Sequence, residues 1–390
     1  MARMPLIVYS HLRWNFVYQR PQHVLTRLAQ HRRVLFVEEP VEGAPEDGWE
    51  RCDVGRNLSV YRPCFRGPVQ GFEAAHRDRL AGMLETVLAE EGVGPHAAWL
   101  YTPLAFPVAS ALAPEVVIYD CMDELANFRF APPEIGELEQ ALLRSADAVF
   151  TGGPSLFRAK RQLHPNVHCF PSSVDVEHFA KGRKGRPVAA EEAAVEGPKL
   201  GFFGVIDERM DLEIVDALAL AHPDWQIFMI GPIVKIDPNG VPQRPNLHWL
   251  GSRPYEELPS HLAGWDVSIM PFALNDATRF ISPTKTLEYM AAEHPIVSTP
   301  IRDVAGPYED IVYLGEGPAG FVAACEQAFA STRAERTQRV ERMRKVLAAT
   351  SWDRTVQDME QVLCEVECAF AHRGRSTELG GFGWLKPGEI

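Results

Sequence analysis

The chain has 390 residues, more than one hydrophobic core ordinarily organises, so two domains are expected. Its 46% hydrophobic and 23% charged content is that of a globular protein, and 31 prolines with 29 glycines favour many short connections over long bundles or fibres. A formal charge of −13 argues against nucleic acid as the main partner, because phosphate binding relies on a basic surface.

The periodicity reads as strand, loop and helix in repeated succession. Pro5 to Tyr9 is a buried strand, Pro21 to Ala29 a helix and Val34 to Val37 the next strand. Leu58 to Arg62 adds a strand and Gly71 to Glu91 a longer helix. Ala98 to Tyr101 and Val116 to Tyr119 continue the sheet. The helix Pro133 to Ala146, the strand Ala148 to Thr151, the helix Pro154 to Leu163 and the strand Val167 to Phe170 close the series. Short apolar strands alternating with helices imply a parallel sheet covered on both faces.

Composition then shifts. Residues 181–198 are charged and rich in Ala and Gly, which suits a linker and hinge between an N-terminal domain (1–180) and a second domain (199–350). The alternation restarts with strands at Lys199 to Gly204, Gln226 to Gly231, Leu247 to Gly251, Asp266 to Pro271 and Ile296 to Thr299. Helices fall at Asp211 to Ala221, Tyr255 to Ala263 and Thr284 to Ala292, and two more follow at Pro318 to Ala330 and Arg333 to Ala349. A last helix within 351–372 is expected to cross back to the first domain. The tail from Arg373 to Ile390, glycine-bearing and without a periodic apolar face, reads as loose. The fold class is therefore α/β, with two Rossmann-like doubly wound parallel-sheet domains facing a central cleft.

Arginines crowd the start of the chain (Arg13, Arg20, Arg27, Arg32, Arg33, Arg51, Arg56, Arg62, Arg66), either as a local basic face for phosphates or anionic lipid or as solvated charges spread over several faces. The seven cysteines show no spacing for zinc or a disulfide framework, which fits a reducing cytoplasm; Cys364 and Cys368 read as buried packing. The run Leu6 to Tyr9 is too short for a signal-peptide core, and Trp99 to Tyr119 is cut by Pro103, Pro107 and Pro114. A cytoplasmic protein is expected, with peripheral contact at the inner face of an anionic membrane as a further hypothesis.

Chemistry concentrates in loops after strands. In Ser282-Pro-Thr-Lys-Thr-Leu-Glu288, Ser282 reads as an N-cap, Pro283 as the first helical residue and Lys285 as a first-turn cation. Lys285 and the hydroxyls of Thr284 and Thr286 would meet a diphosphate at such a helix start, and Glu288 would accept from ribose hydroxyls. A routine helix start is the plainer alternative. After the strand ending at Gly204, glycine permits close backbone approach and Arg209 can fork onto phosphate oxygens. In the first domain, the Ser10 to His23 loop directs Arg13, Arg20 and His23 at the cleft. Asp120 or Asp123, after another strand, would orient or deprotonate an acceptor hydroxyl, with His11 as a weaker base and helix capping as the alternative.

Pro171-Ser-Ser-Val-Asp175-Val-Glu-His-Phe179 resembles the stretch that leads out of the first domain in family-4-like ("group 1") glycosyltransferases of the GT-B type. Residues 282–299 are similar to their donor-binding helix and following strand. The resemblance implies a retaining glycosyltransferase that uses a nucleotide-diphosphate sugar and needs neither metal nor another cofactor. It implies Glu288 as the ribose carboxylate and Arg209 as a diphosphate contact, with Lys285 as a second cation. Two departures stand out: Phe280 occupies the place of a frequent glutamate, and the usual lysine shortly after the phosphate arginine is missing. Arg279 and its loop then become candidates for contact with the transferred sugar. The implied acceptor is a sugar, a lipid-linked molecule or a small hydroxyl compound, in cell-surface polysaccharide or glycolipid assembly. Rival readings are a sugar-nucleotide 2-epimerase of the same architecture and a non-catalytic nucleotide-sugar-binding subunit.

Overall fold

The structure, a computed structural model, describes residues 3–379, with side chains as far as residue 372. Nine strands form the first sheet: β1 (Leu6–Ser10), β2 (Val34–Glu38), β3 (Val41–Glu42), β4 (Gly48–Gly55), β5 (Leu58–Phe65), β6 (Ala97–Leu100), β7 (Val116–Cys121), β8 (Ala148–Thr151) and β9 (Val167–Cys169). Their order is β3-β5-β2-β1-β6-β7-β8-β9, all pairings on that path being parallel, and β4 is antiparallel to β5. The two-residue period of a strand sends Leu6 and Val8 to one layer, against Val24 and Leu25. It sends Ile7 and Tyr9 to the other, which holds Leu84 and Leu88. Both faces are covered, so the central strands are apolar throughout.

The second sheet has six strands: β10 (Lys199–Phe203), β11 (Gln226–Ile230), β12 (Leu247–Gly251), β13 (Val267–Met270), β14 (Ile296–Ser298) and β15 (Tyr313–Leu314). They run in the order β12-β11-β10-β13-β14-β15, all parallel. In each sheet the order reverses beside the first strand, between β1 and β6 and between β10 and β13. Loops diverge there and leave a crevice at the carboxyl ends. The two crevices face each other.

The helix Trp352–Leu379 returns to the first sheet, where Trp352, Val356, Met359, Leu363 and Val366 join its core. Arg32, with a fully buried side chain, pairs with Glu360 at 3.4 Å and with Glu367 at 2.7 Å on that helix. The two halves also touch across the cleft. Asp303 accepts from the Ser155 amide at 3.2 Å, and Asn127 Nδ2 donates to the Asp276 carbonyl at 3.0 Å.

Several details differ from the sequence reading. β3 and β4 were not anticipated, because β4 (GWERCDVG) is polar and largely exposed, as suits an edge strand. The stretch expected as a linker is folded onto the second domain. It contains a short helix, Ala190–Ala193, whose Glu192 is fully buried and 2.7 Å from His261 Nδ1. Of the early arginines, Arg13, Arg20, Arg27, Arg32, Arg33, Arg51 and Arg62 each pair with a carboxylate. Cys368 is exposed rather than buried. The last helix continues through residues 373–379, and the rest of the tail lies outside the described residues. Among the described residues no helix is long and apolar enough to cross a membrane.

Candidate active site

The loops at the two crevices enclose a cleft of about 1090 Å³ that draws walls from both halves. A smaller recess of about 300 Å³ opens beside it, bounded by Gly204, Gly231, Pro232, Ser252, Pro254, Tyr255, Lys285 and Glu288, with residues 14–18 of the first domain across from them.

The recess depends on two strand-end glycines. Gly204 ends β10 with φ +149° and Gly231 ends β11 with φ +142°, backbone states that side chains disfavour. A Cβ on Gly231 would lie 1.8 Å from the Gly204 carbonyl oxygen, so the two backbones touch directly. A Cβ on Gly204 would meet the Lys285 Cε at 3.0 Å. Glycine thus keeps the lysine low in the recess.

The helix that carries Lys285 begins later than the sequence suggested. It spans Lys285–Ala291, with Thr284 at its cap making no side-chain cap bond. Ser282 instead packs against Gly153 of the first domain, where a Cβ would come within 2.6 Å of the serine Cβ. Seven residues make a short helix, so side chains rather than the macrodipole supply most of the positive potential. Lys285 Nζ lies 3.6 Å from Glu288 Oε2 and 3.3 Å from Thr284 Oγ1. Burial pushes the Glu288 carboxyl above its ordinary range, against the pull of Lys285. Its Oε2 is buried without a hydrogen-bond partner. A buried acceptor without a donor is costly unless a ligand completes it. Thr286, the other predicted donor-site hydroxyl, is buried, approaches Met270 Sδ and does not line the cleft.

Arg209 reaches the cleft from the loop after β10. Its guanidinium forks onto Asp207, with Nε 2.9 Å from Oδ1 and Nη2 2.7 Å from Oδ2, and lies 5.5 Å from the Phe128 ring centroid. Lys235, which the sequence reading missed, stands 5.1 Å from the same ring and lines the cleft. It sits in the loop after β11 with φ +61°, and the one signal for it was that loop's position at a strand's carboxyl end. Three cations thus face the cleft from the second domain: Arg209, Lys235 and Lys285.

On the first-domain side the candidates separate. Asp120 is fully buried in a bidentate pair with Arg20, at 2.9 and 3.2 Å, and does not line the cleft. Arg20 also donates to the Phe170 carbonyl at 2.6 Å, so this pair ties loops together and neither group is free. Asp123 does line the cleft and has no ion pair among the described residues. Burial raises its pKa while Arg209 and Lys235 oppose the rise. His11 lines the cleft with Nδ1 buried and unpartnered; burial and Lys235 lower its pKa to about 4, which keeps it neutral and makes it a weak base. Arg13 pairs with Glu38 at 3.2 Å and also donates to the Glu39 carbonyl. His23 stacks on Trp352 at 4.7 Å, edge-on to Tyr18.

Arg279 is exposed and does not line the cleft; its guanidinium lies over Phe280, whose ring packs against the core of the first domain. Glu39 went unnoticed in the sequence although it follows β2 directly at the carboxyl edge. It lines the cleft, and burial pushes its pKa up to about 7 despite Arg13 and Lys235. Tyr255 also escaped notice: it borders both cavities and stacks on His178 at 4.2 Å.

Two doubly wound domains facing across a cleft, with glycines, lysine and a buried carboxylate at the second domain's crevice, make up a GT-B fold. Residues 197–335 match the family model described as Glycosyl transferases group 1. It is similar to the putative teichuronic acid biosynthesis glycosyltransferase TuaH of Bacillus subtilis (strain 168), with 26% identity over 272 residues that cover 65% of this chain and 68% of that protein. Among solved structures, one described as trehalose-6-phosphate from E. coli bound with UDP-2-fluoro glucose aligns with a TM-score of 0.69 at 13% identity, covering 92% of this chain and 98% of that one. Sucrose-phosphate synthase from Thermosynechococcus elongatus aligns with a TM-score of 0.67 at 15% identity, covering 94% and 100%. At such identities these structures establish the fold.

Proposed function

We propose that the chain transfers a sugar from a nucleoside diphosphate sugar, held by residues 199–350, to a hydroxyl acceptor presented by residues 1–180, in cell-surface polysaccharide or glycolipid assembly. The observation that carries the reading is the buried Glu288 Oε2 without a donor, beside Lys285 and above the paired glycines Gly204 and Gly231. Ribose hydroxyls supply the missing donors. The diphosphate then lies toward Lys285, Arg209 and Lys235, whose three charges neutralise it without requiring a metal. Uridine diphosphate sugars are the first to test, since a solved structure of the same fold is described as bound with UDP-2-fluoro glucose.

The reaction breaks the bond between the anomeric carbon and the diphosphate oxygen and forms one between that carbon and the acceptor oxygen. With retention of configuration, both events take place on one face of the sugar, and the leaving diphosphate takes the acceptor proton. The protein's part is to stabilise charge on the departing diphosphate and to align the acceptor, for which Asp123 is a cleft-lining first-domain carboxylate without an ion pair among the described residues. Asp120, held by Arg20, takes no part in the step.

Mass spectrometry for new glycosides and proton NMR for the donor sugar's configuration, after incubation with a nucleotide sugar with and without an alkyl glycoside, test the reading. A new glycoside that forms only with acceptor supports it. Conversion of the donor to its 2-epimer without acceptor would overturn it in favour of the epimerase. Tight binding with neither transfer nor hydrolysis would favour a non-catalytic subunit.

A further inference from the structure

The first-domain wall of the cleft differs in character from the donor side. Between Leu125 and Ile135 it is apolar, with Leu125, Phe128, Phe130, Pro132, Pro133 and Ile135 all lining the cavity. Phe130 lies at the mouth with 63% of its surface exposed, so the apolar strip continues from the interior to solvent. Exposed phenylalanine of that extent, continuous with a cavity, marks a surface that a ligand covers.

The charges on this wall are mainly negative. Glu39, Glu73, Asp123, Glu134 and Asp175 line it, and among the described residues its lysines and arginines in the lining are Arg13 and Arg20 alone. Arg20 is engaged by Asp120 and the Phe170 carbonyl, and Arg13 by Glu38 and two backbone carbonyls. Glu39 and Asp123 have no ion pair among the described residues. The cations that approach the interior of this wall, Lys235 at 5.1 Å and Arg209 at 5.5 Å from the Phe128 ring, come from the second domain and are those assigned above to the donor diphosphate. With the donor bound, a phosphate on the acceptor would face the diphosphate and these carboxylates, and like charges in a partly desolvated cleft repel. Carboxylates without partners instead suit hydroxyl donors.

Resting on the donor-site assignment above, we infer that the acceptor is an uncharged sugar that carries an apolar aglycone, its hydroxyls meeting Glu39 and Asp123 and its aglycone lying along Leu125 to Ile135 and out past Phe130. Sugar phosphates are disfavoured while the donor diphosphate occupies Lys235 and Arg209.

Isothermal titration of the full chain, with and without UDP, tests this with three probes: octyl β-D-glucoside below its micellar concentration, methyl β-D-glucoside and glucose 6-phosphate. The expected order with UDP present is octyl glucoside at least tenfold tighter than methyl glucoside, with no measurable binding of glucose 6-phosphate. Phe130→Ser and Leu125→Ser each reduce the octyl-to-methyl ratio below threefold. Glucose 6-phosphate binding more tightly than methyl glucoside in the presence of UDP overturns the inference, as does an octyl chain that adds nothing, a ratio unchanged in both variants, or no binding by any probe. Failure of UDP to bind while the octyl preference persists would overturn the donor assignment and leave the acceptor wall as described, so the two failures are separable.

Discussion

Replacement of Glu288 by glutamine separates the donor-binding role of this residue from a structural one, because the two predict opposite effects. In the unliganded protein the carboxylate is buried, its one ion-pair neighbour is Lys285 at 3.6 Å, and Oε2 has no donor. Burial raises its pKa above the ordinary value of 4.5. A carboxyl with a raised folded pKa favours the folded state below its unfolded pKa and loses that contribution as pH rises toward the folded value. At neutral pH the unliganded enzyme therefore carries the cost of a poorly compensated charge, and Glu288→Gln should unfold at the same or a slightly higher temperature. Nucleotide binding should move the other way. Hydrogen bonds to a charged acceptor contribute about 1.5–3 kcal/mol, so losing the charge weakens nucleotide affinity by roughly 10- to 150-fold. Calorimetric titration with nucleoside diphosphates measures the affinity, and thermal unfolding at pH 5 and pH 7.5 measures the stability. Affinity within twofold of wild type, or a fall in unliganded stability of several degrees, would refute the reasoning.

Four further outcomes follow from the geometry. Arg209→Ala and Lys285→Ala should each lower kcat/KM by about 10²- to 10³-fold, and Arg209→Lys should not restore the loss, because one ammonium cannot reproduce the forked guanidinium; steady-state kinetics decide it. Asp120→Asn breaks a buried pair with Arg20 and should destabilise by about 3–5 kcal/mol in urea unfolding, whereas Asp123→Asn should leave stability within about 0.5 kcal/mol and raise the acceptor KM. Gly231→Ala places a Cβ 1.8 Å from the Gly204 carbonyl oxygen and should cost at least about 2 kcal/mol together with nucleotide affinity, read by unfolding and titration on one preparation. His294 is buried between Ser268 Oγ at 3.0 Å and the Gly182 carbonyl at 3.2 Å, and burial lowers its pKa to about 4. The unfolded chain binds its proton first, so stability should fall as pH drops from 6.5 toward 4, by up to about 1.4 kcal/mol per pH unit, and His294→Asn should flatten that slope.

The parts of the fold legible in the sequence were those governed by local periodicity and strand-end loops. Runs such as Leu6 to Tyr9 and Val116 to Tyr119 are apolar because they are buried on both faces, and they announce themselves. Strand β4 did not, since an edge strand with charged residues on its solvent side looks like a loop. The stretch at 181–198 misled for a related reason: alanine and glutamate are good linker residues, but here Glu192 finds His261, 69 positions away, and the segment folds on that contact. Long-range pairing also decided between Asp120 and Asp123. Asp120 lies at the end of β7 and Asp123 just after it, and nothing local reveals that Arg20, 100 positions earlier, occupies the first and leaves the second open. Lys235 and Tyr255 enter the cleft from loops whose spatial neighbour is the other half of the molecule, a relation no window of sequence contains. Glu39 was visible in principle, as one of two consecutive carboxylates directly after a buried strand.

The return of the last helix to the first sheet has a consequence for biosynthesis. One face of that sheet, built on Leu6, Val8, Phe36, Trp99, Ile118 and Phe150, is completed by Trp352, Val356, Met359, Leu363 and Val366. The chain thus makes the N-terminal half first but finishes it last, while all six strands of the second sheet are in place by residue 314. A nascent chain arrested before the last helix carries a closed second domain and a first domain with bare apolar surface. Such an intermediate is a ready client for chaperones, and truncation at the carboxyl terminus should register as insolubility of the amino-terminal half.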